Sequence, residues 1–345
     1  MRIGFNPEKE SHNLEVINYH RVIVPVYIPN FEGYFAQAFE VFKLCIESLL
    51  LTIHTKTRIT IYNNNCHPAV KNYIDEKYQK SIFIDQVFHS KENLGKINAI
   101  LAASKGNLEP IITITDADVL FKHNWQKAVE EVFINFPHAG MVSPVPSSKA
   151  YSNYTAANWG YALTRGKLLF SKVVDSLALQ RFDDSLGNPT KMYKQIHLEK
   201  YLIHKNTTNN GEAVMGCGHF VATLRREVFD KGTAEPAFVK IQKGVEGKFI
   251  DYPNEKLGYL RLATKANFAF HMGNTIENWM HEEFETLAVN SNKNSDTNFK
   301  SNSFKSKNVS IMALVLGKTI ISLLRRKKLK KIIFNFLGLN STIEY

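Results

Sequence analysis

The chain has 345 residues, of which 44% are hydrophobic and 22% are charged, with 18 glycines and 11 prolines. This composition excludes a wholly disordered chain and a fibrous repeat, and predicts a globular protein with a full core. Cys45, Cys66 and Cys217 are far apart and odd in number, so they form neither a disulfide framework nor a CxxC metal site, which favours a reducing compartment. The first sixteen residues lack the apolar run of a secretory signal, and we therefore expect no export.

The net charge of +11 is concentrated near the C-terminus. From residue 290 onward there are eleven lysines and arginines against two acidic residues, so this part holds +9 and residues 1–289 hold only +2. Binding to a phosphate backbone requires many cations on the folded surface. The nearly neutral body therefore argues against nucleic acid as the main partner.

Apolar runs alternate with helical patterns through most of the chain before residue 147. Short apolar, β-branched runs predict strands at residues 21–27, 58–62, 82–87, 111–115 and 140–144. Apolar residues spaced three and four apart predict helices between these runs. Because the runs are apolar on both faces, they indicate an α/β fold with a mainly parallel central sheet flanked by helices. Residues 147–210 show no readable pattern, and strands are predicted again at 218–224 and 266–271.

Composition divides the chain into three parts. We expect a globular domain over residues 18–289, an Asn/Ser/Lys-rich linker over 290–308, and a basic amphipathic helical segment over 309–345. Residues 311–324 are apolar apart from three positions and too short for a membrane span of about twenty residues. The basic run at 325–331 that follows favours a segment lying on an anionic membrane surface. A solvated charge run or a partner-binding helix is the alternative.

An Asp-x-Asp pair, Asp116 and Asp118, directly follows the fourth predicted strand. Strand alternation points both carboxylates to the same side, at the sheet edge where open α/β sheets bind ligands. Two such oxygen donors hold Mg²⁺ or Mn²⁺, and the metal in turn neutralises a diphosphate. The alternative is that the pair only caps the following helix.

Segments around this pair resemble the family 2 glycosyltransferases of the GT-A fold, which use nucleotide sugars. The resemblance covers roughly residues 20–275. It rests on HRVIVPVYIP (20–29), ITIYNNNC (59–66), ENLGKINAIL (92–101), ITDADVLF (114–121), GCGH (216–219), TLRREVF (223–229) and the stretch from FIDYPNEK to AFHMGN (249–274). A GT-A-type nucleotide-sugar-binding fold is what the resemblance implies.

The resemblance also implies where the nucleotide sugar binds. Residues expected at the donor are Pro25, Tyr27, Asn63, Asn93, Gly95, Lys96, Asp116 and Gly218. Asn63 stands where the family usually has an Asp at the base, which departs from the pattern. Lys96 would meet phosphate, Asp116 the ribose, and Gly218 would lie under the donor sugar. Without the resemblance, Lys96 reads equally well as a solvated lysine and Gly95 as a turn residue.

The same match assigns the metal and the base. Asp118, Asp116 and His271 would hold a divalent ion, and the imidazole favours Mn²⁺ over Mg²⁺. Asp251 matches the family's catalytic base, although Ile250 replaces the Glu that usually precedes it. A turn-shaping role for Asp251 and a structural role for His271 are the alternatives. The substitutes for the base are Glu246, Glu227, Asp183 and Asp184.

These expectations describe an inverting, metal-dependent glycosyltransferase of the hexosyltransferase type. It would move a sugar to a hydroxyl of a glycan or lipid-linked acceptor in cell-envelope or surface polysaccharide synthesis, at the cytoplasmic face of the cell membrane. The metal would stabilise the leaving diphosphate and a carboxylate would take the acceptor proton. The alternatives are a nucleotidyltransferase that releases pyrophosphate, and a non-catalytic module, either a degenerate transferase holding a glycan or a basic protein on nucleic acid.

Overall fold

The computed structural model describes residues 3–4, 14–233, 235–240, 244–289, 299, 303–339 and 345. The strands are β1 His20–Val26, β2 Thr57–Asn64, β3 Ile84–Ser90, β4 Ile111–Thr115, β5 Val119–Phe121, β6 Ala139–Ser143, β7 Lys167–Lys172, β8 Lys200–Lys205, β9 Glu212–Met215, β10 Val221–Arg225, β11 Leu260–Ala263 and β12 Ala269–His271. The helices are α1 Ala38–Thr52, α2 Pro68–Lys80, α3 Lys96–Lys105, α4 Trp125–Asn135, α5 Ala156–Thr164, α6 Ser176–Ser185, α7 Gln195–Glu199, α8 Arg226–Asp230, α9 Tyr252–Lys256, α10 Asn278–Val289, α11 Ile311–Leu324 and α12 Lys327–Phe336.

Within the described residues, ten strands form one sheet in the order β3-β2-β1-β4-β10-β6-β11-β9-β8-β7, and β5 pairs with β12 in a second, two-stranded sheet. Strands β1 to β4, β6, β11 and β8 run in one direction, while β10, β9 and β7 run in the other. Seven of these ten strands share one direction, so the sheet is mainly parallel in strand direction, and helices flank it. The expected α/β fold class is confirmed, including the helical C-terminal segment.

The predicted strands of the first half lie close to the observed ones. The strand at residues 111–115 coincides with β4, and the other four differ from β1, β2, β3 and β6 by one to three residues at an end. These strands were predictable because β1 and β4 are buried along their whole length. A strand buried on both faces is seen in the sequence as a mainly apolar run. Pro68 opens α2, since its missing N–H costs nothing at the first helical position.

The region without a readable pattern extends the sheet by antiparallel strands. Here β7 pairs with β8 and β8 pairs with β9, and β9 joins the main sheet through β11. Strand β7 alternates between exposed and buried residues and ends in lysines at both sides. Such a partly solvated strand has no long apolar run, so apolar periodicity does not predict it.

The C-terminal helix α11 packs tightly across α5 through small residues. A Cβ atom on Gly317 would lie 1.9 Å from the carbonyl oxygen of Ala156, and one on Gly160 would lie 1.9 Å from that of Ala313. Both glycines are therefore required by the close approach of the two helix backbones, as at other crossings lined by small residues.

The end of the chain also contributes to the core. Leu324, Phe334 and Leu339 are buried in one hydrophobic cluster with Trp159 and Phe170. Before α11, the backbone of residues 304–309 is anchored to the body, for example by the Arg225 guanidinium donating to the carbonyl of Phe304. Residues 290–298 and 300–302, most of the predicted linker, lie outside the described residues. The division at 289 and 308 stays a prediction.

Among the described helices, none combines the length and the apolar character needed to cross a bilayer.

The α5–α11 contact makes a testable prediction about stability. We expect Gly317→Ala to lower the free energy of unfolding by about 1–3 kcal/mol, because the added methyl group meets backbone that has to move. Gly106→Ala is the matched control, since a Cβ there has no neighbour within 4 Å. Chemical denaturation measures both variants, and equal stability of the two would contradict this account of the contact.

Candidate active site

One pocket of about 320 Å³ lies at the carboxyl ends of the parallel strands. Its wall includes Pro25 near the end of β1, Tyr27 directly after it, Asn64 at the end of β2, and the Asp116–Asp118 doublet after β4. The carboxyl ends of parallel strands meet at one edge of a sheet, and this is the edge where open α/β sheets bind ligands. The position therefore agrees with the site expected from the sequence.

One end of the pocket is formed by a tyrosine and two amides. Tyr27 stands edge-on to Phe35, with ring centroids 5.8 Å apart. The Asn64 amide donates to Asn93 Oδ1 at 2.9 Å and accepts from the Leu94 N–H at 2.9 Å. These contacts fix the Asn93 loop against the end of β2.

Asn64 rather than Asn63 lines the pocket. The Asn63 amide is 2.9 Å from His89 Nδ1, and its oxygen accepts from the Cys66 N–H at 2.8 Å. Consecutive strand residues point to opposite sides, so the side chains of Asn63 and Asn64 have different surroundings. The contact of Asn63 with a nucleotide base, expected from the resemblance, stays a prediction.

Gly95 and Lys96 lie at the start of α3. Gly95 has φ +85°, and a Cβ there would lie 2.7 Å from the Lys240 carbonyl oxygen, so only glycine fits. Lys96 forms an ion pair with Asp116 and lies 3.7 Å from Glu246. Burial lowers the pKa of Lys96, but the carboxylates of Asp116, Glu246 and Asp118 together raise the pKa above its ordinary value. Lys96 is thus a fixed cation in the pocket.

Asp116 and Asp118 line the pocket, and His271 meets them beside it. One ligand atom from each lies within 4.8 Å of the others, and His271 Nε2 is 3.4 Å from Asp118 Oδ2. The β5–β12 ladder explains the meeting, because it pairs His271 with Val119 and bonds the Met272 N–H to the Asp118 carbonyl at 2.8 Å. Two residues about 150 positions apart are thereby held side by side.

The donor set fits a divalent cation. Asp118 Oδ1 is buried without a hydrogen-bond partner, and burial raises the pKa of this carboxyl to about 6. Ser185 Oγ lies 2.8 Å from His271 Nδ1, which orients the ring and leaves Nε2 toward Asp118. Two carboxylates and an imidazole are suitable ligands for Mn²⁺. No sequence pattern pointed to Ser185.

A second cluster of possible ligands, His20, His54 and Glu130, is buried in the core. Its ligand atoms already bond to one another, since Glu130 Oε1 lies 2.8 Å from His20 Nδ1 and 2.9 Å from His54 Nε2. Tyr19 donates to the other oxygen at 3.2 Å. The satisfied bonds mark this cluster as structural.

Asp251 is close to the floor but does not line the pocket. It ends a short π-helical turn, Gly247–Asp251, and its side chain is only 2% exposed. Its carboxylate is bonded to His219 and lies 3.2 Å from Arg261 Nη2. His219 is 33% exposed and covers the carboxylate. No motif in the sequence points to a role for His219.

Gly218 precedes His219 in the loop between β9 and β10. A Cβ atom on it would have no neighbour closer than 3.7 Å, so the space beside it is open. Cys217 is buried, and burial raises the pKa of its thiol to about 11, which excludes a thiolate nucleophile at neutral pH.

Of the substitutes for the base, only Glu246 lines the pocket. Glu227 accepts from Tyr259 at 2.5 Å and from Ser306 at 3.0 Å. Asp183 accepts from the N–H groups of residues 192 and 193 at 2.8 and 2.9 Å, and Asp184 is paired with Lys191. These three carboxylates therefore serve the fold.

Comparisons with known proteins find likeness in structure only. No protein-family model matches the chain, and no curated protein matches it. A crystal structure of S. aureus TarS 1-349 aligns with TM-score 0.41 and 13% identity over 83% of this chain and 68% of that one. GalNAc-T7, solved with UDP, GalNAc and Mn²⁺, aligns with TM-score 0.45 and 15% identity over 74% of this chain and 43% of that one. At such scores neither match supports a conclusion about activity, which has to come from the chain's own residues.

The ligand cluster predicts metal binding. We expect Asp118→Asn to weaken Mn²⁺ binding by at least about tenfold, because it removes a charged ligand from a three-residue set. Asp75→Asn is the control, since Asp75 is a surface carboxylate paired with Lys71 and His89. Titration with Mn²⁺ followed by electron paramagnetic resonance gives both affinities. Equal affinities would show that the cluster is not the metal site.

Proposed function

We propose that the protein is an inverting, divalent-metal-dependent glycosyltransferase that moves a sugar from a nucleotide sugar to a hydroxyl of a glycan or lipid-linked acceptor. The observation that supports this most is the meeting of Asp116, Asp118 and His271 beside Lys96 in one pocket. Diphosphate chemistry needs such a combination of metal ligands and a fixed cation. A hexose donor and a role in cell-envelope or surface polysaccharide synthesis belong to the same proposal.

The pocket offers separate places for the parts of the donor. Pro25, Tyr27, Asn64 and Asn93 surround the end suited to a nucleoside base. The start of α3 presents its N–H groups and the Lys96 ammonium to phosphate. The donor sugar then points to the floor, where the open side of Gly218 leaves it room. This arrangement puts the sugar phosphate bond beside the acidic cluster.

Asp116, Asp118 and His271 would hold Mn²⁺ or Mg²⁺. When bound, the ion supplies positive charge that stabilises the leaving diphosphate. Ser185 keeps the His271 ring in place through Nδ1. When a donor enters, the Lys96 ammonium leaves Asp116 and pairs with phosphate oxygens. The ammonium therefore keeps a partner of opposite charge.

The acceptor hydroxyl needs a proton acceptor on the side opposite the leaving group. Asp251, together with its bonded His219, is our assignment, because His219 directly precedes Phe220, whose carbonyl accepts the Asp116 N–H at 2.6 Å. Attack from that side inverts the anomeric carbon and forms no covalent enzyme intermediate. Glu246 is the substitute within the pocket.

Product analysis tests the reaction. With a panel of nucleotide sugars, a glycan acceptor and Mn²⁺, we expect release of nucleoside diphosphate that a chelator abolishes.

Lys96→Ala should weaken donor binding by about 10- to 100-fold, the value of one hydrogen bond between charged groups. The control is Lys91→Ala, an exposed lysine before α3. Pyrophosphate as product would favour a nucleotidyltransferase, and donor binding without any release would favour a degenerate transferase.

We also propose that the C-terminal helices hold the enzyme on an anionic membrane, at its cytoplasmic face. Helix α11 buries Ala313 and Gly317 but exposes Ile311, Met312 and Val315. Helix α12 exposes Ile332 and Phe336 next to a run of four lysines and two arginines at 325–331. Exposed apolar side chains beside clustered cations are typical of surfaces that enter a lipid headgroup region.

Substitution tests this better than deletion, because removal of the helices would uncover the core cluster around Trp159. We expect the double change Ile332→Ser and Phe336→Ser to lower flotation with phosphatidylserine vesicles by at least about tenfold, since both apolar side chains lose burial. Ile82→Ser and Phe238→Ser form the control, as both residues are exposed apolar side chains elsewhere. Unchanged flotation of the first pair would reject the membrane surface.

A further inference from the structure

We propose that His219 takes the proton from the acceptor hydroxyl, and that Asp251 is a positioning residue that holds the His219 imidazole. This inference rests on the proposed glycosyltransferase activity. It changes the assignment made from the sequence, where the carboxylate of Asp251 itself was expected to act as the base.

Burial separates Asp251 from any acceptor. Its side chain is 2% exposed, whereas that of His219 is 33% exposed and bonded to it through Nε2. A hydroxyl that approaches from solvent meets the imidazole first. Direct contact with the carboxylate would require His219 to leave its place.

The other oxygen of Asp251 faces a buried cation. Arg261 Nη2 lies 3.2 Å from Asp251 Oδ1. The guanidinium is held by the carbonyls of Asn153 and Cys217, each at 2.7 Å. The carboxylate thus lies between the Arg261 guanidinium and the His219 imidazole, which is the position of a group that holds the imidazole in place.

The position of His219 brings it to the acidic doublet. Strand β10 begins two residues later, with Val221 opposite Thr115. The pairing continues through the Phe220 carbonyl, which accepts the Asp116 N–H at 2.6 Å. The Phe220 ring centroid is 5.3 Å from that of His271. The backbone at His219 thus directly precedes the strand that pairs beside the doublet, and the neighbouring Gly218 has an open face.

The hydrogen bond between His219 Nε2 and the Asp251 carboxylate determines which ring nitrogen accepts the proton. Nε2 of His219 carries the hydrogen that it donates to the carboxylate, so the lone pair is on Nδ1. During transfer the acceptor O–H bond breaks and its proton goes to Nδ1. The oxygen bonds to the anomeric carbon while the bond from that carbon to the diphosphate oxygen breaks, and that electron pair leaves with the nucleoside diphosphate. The resulting imidazolium, paired with Asp251, later returns its proton to water.

Chemical rescue tests the assignment. We expect His219→Ala to lower kcat for sugar transfer by about 100-fold or more, with thermal stability and nucleotide binding unchanged, and added imidazole to restore part of the loss. In Asp251→Asn the imidazole site is still filled by His219, so added imidazole should restore nothing. His281→Ala, which removes an exposed histidine on α10, is the control and should keep full activity.

Two results would overturn the inference. The first is a nearly unchanged kcat in His219→Ala. The second is a loss of kcat in His219→Ala that imidazole does not restore, together with restoration of Asp251→Asn by formate. That second result would make Asp251 the group that takes the proton. The His219→Ala arm does not depend on whether Asp251→Asn folds. An inactive wild-type enzyme with every donor would instead overturn the proposed function, so the two failures are distinguishable.

Discussion

The short ladder between β5 and β12 is the constraint on which the site depends. It contains three residue pairs and lies outside the main sheet. Yet it fixes His271 opposite Val119, and so beside Asp118, although the two are far apart in the chain. Without this pairing the doublet would be two acidic residues at a strand end, and nothing would hold the His271 imidazole beside them. Because strand register is discrete, a slip of one residue would turn His271 to the other side.

The same edge of the sheet gathers the remaining groups by a second pairing. The antiparallel entry of β10 between β4 and β6 brings the loop that contains Gly218 and His219 to the carboxyl end of β4. Asp251 contacts this loop through His219, and Arg261 of β11 pairs with the same carboxylate. Parallel strands thus provide the side of the pocket with Asn64 and Lys96, and one reversed strand brings in the loop with Gly218 and His219.

The C-terminal helices have two distinct faces, and the distinction matters for their role. Their inner face is part of the core, with glycine at the closest approach to α5. Their outer face is apolar and bordered by arginines and lysines. An ordinary solvated helix would place polar residues there. A rigid connection between this surface and the sheet would hold the pocket at a constant distance from a membrane and its lipid-linked molecules.

Local periodicity, and side chains only a few residues apart, were enough to predict the α/β class, the buried strands β1 and β4, and the doublet at the strand end. The sequence also pointed to His271 and Lys96 through a family resemblance. It did not determine that Asn64 rather than Asn63 faces the pocket, that Ser185 orients His271, or that His219 covers Asp251. Those facts were decided by the tertiary structure, since strand facing, loop contacts and burial arise only when segments distant in the chain pack against one another.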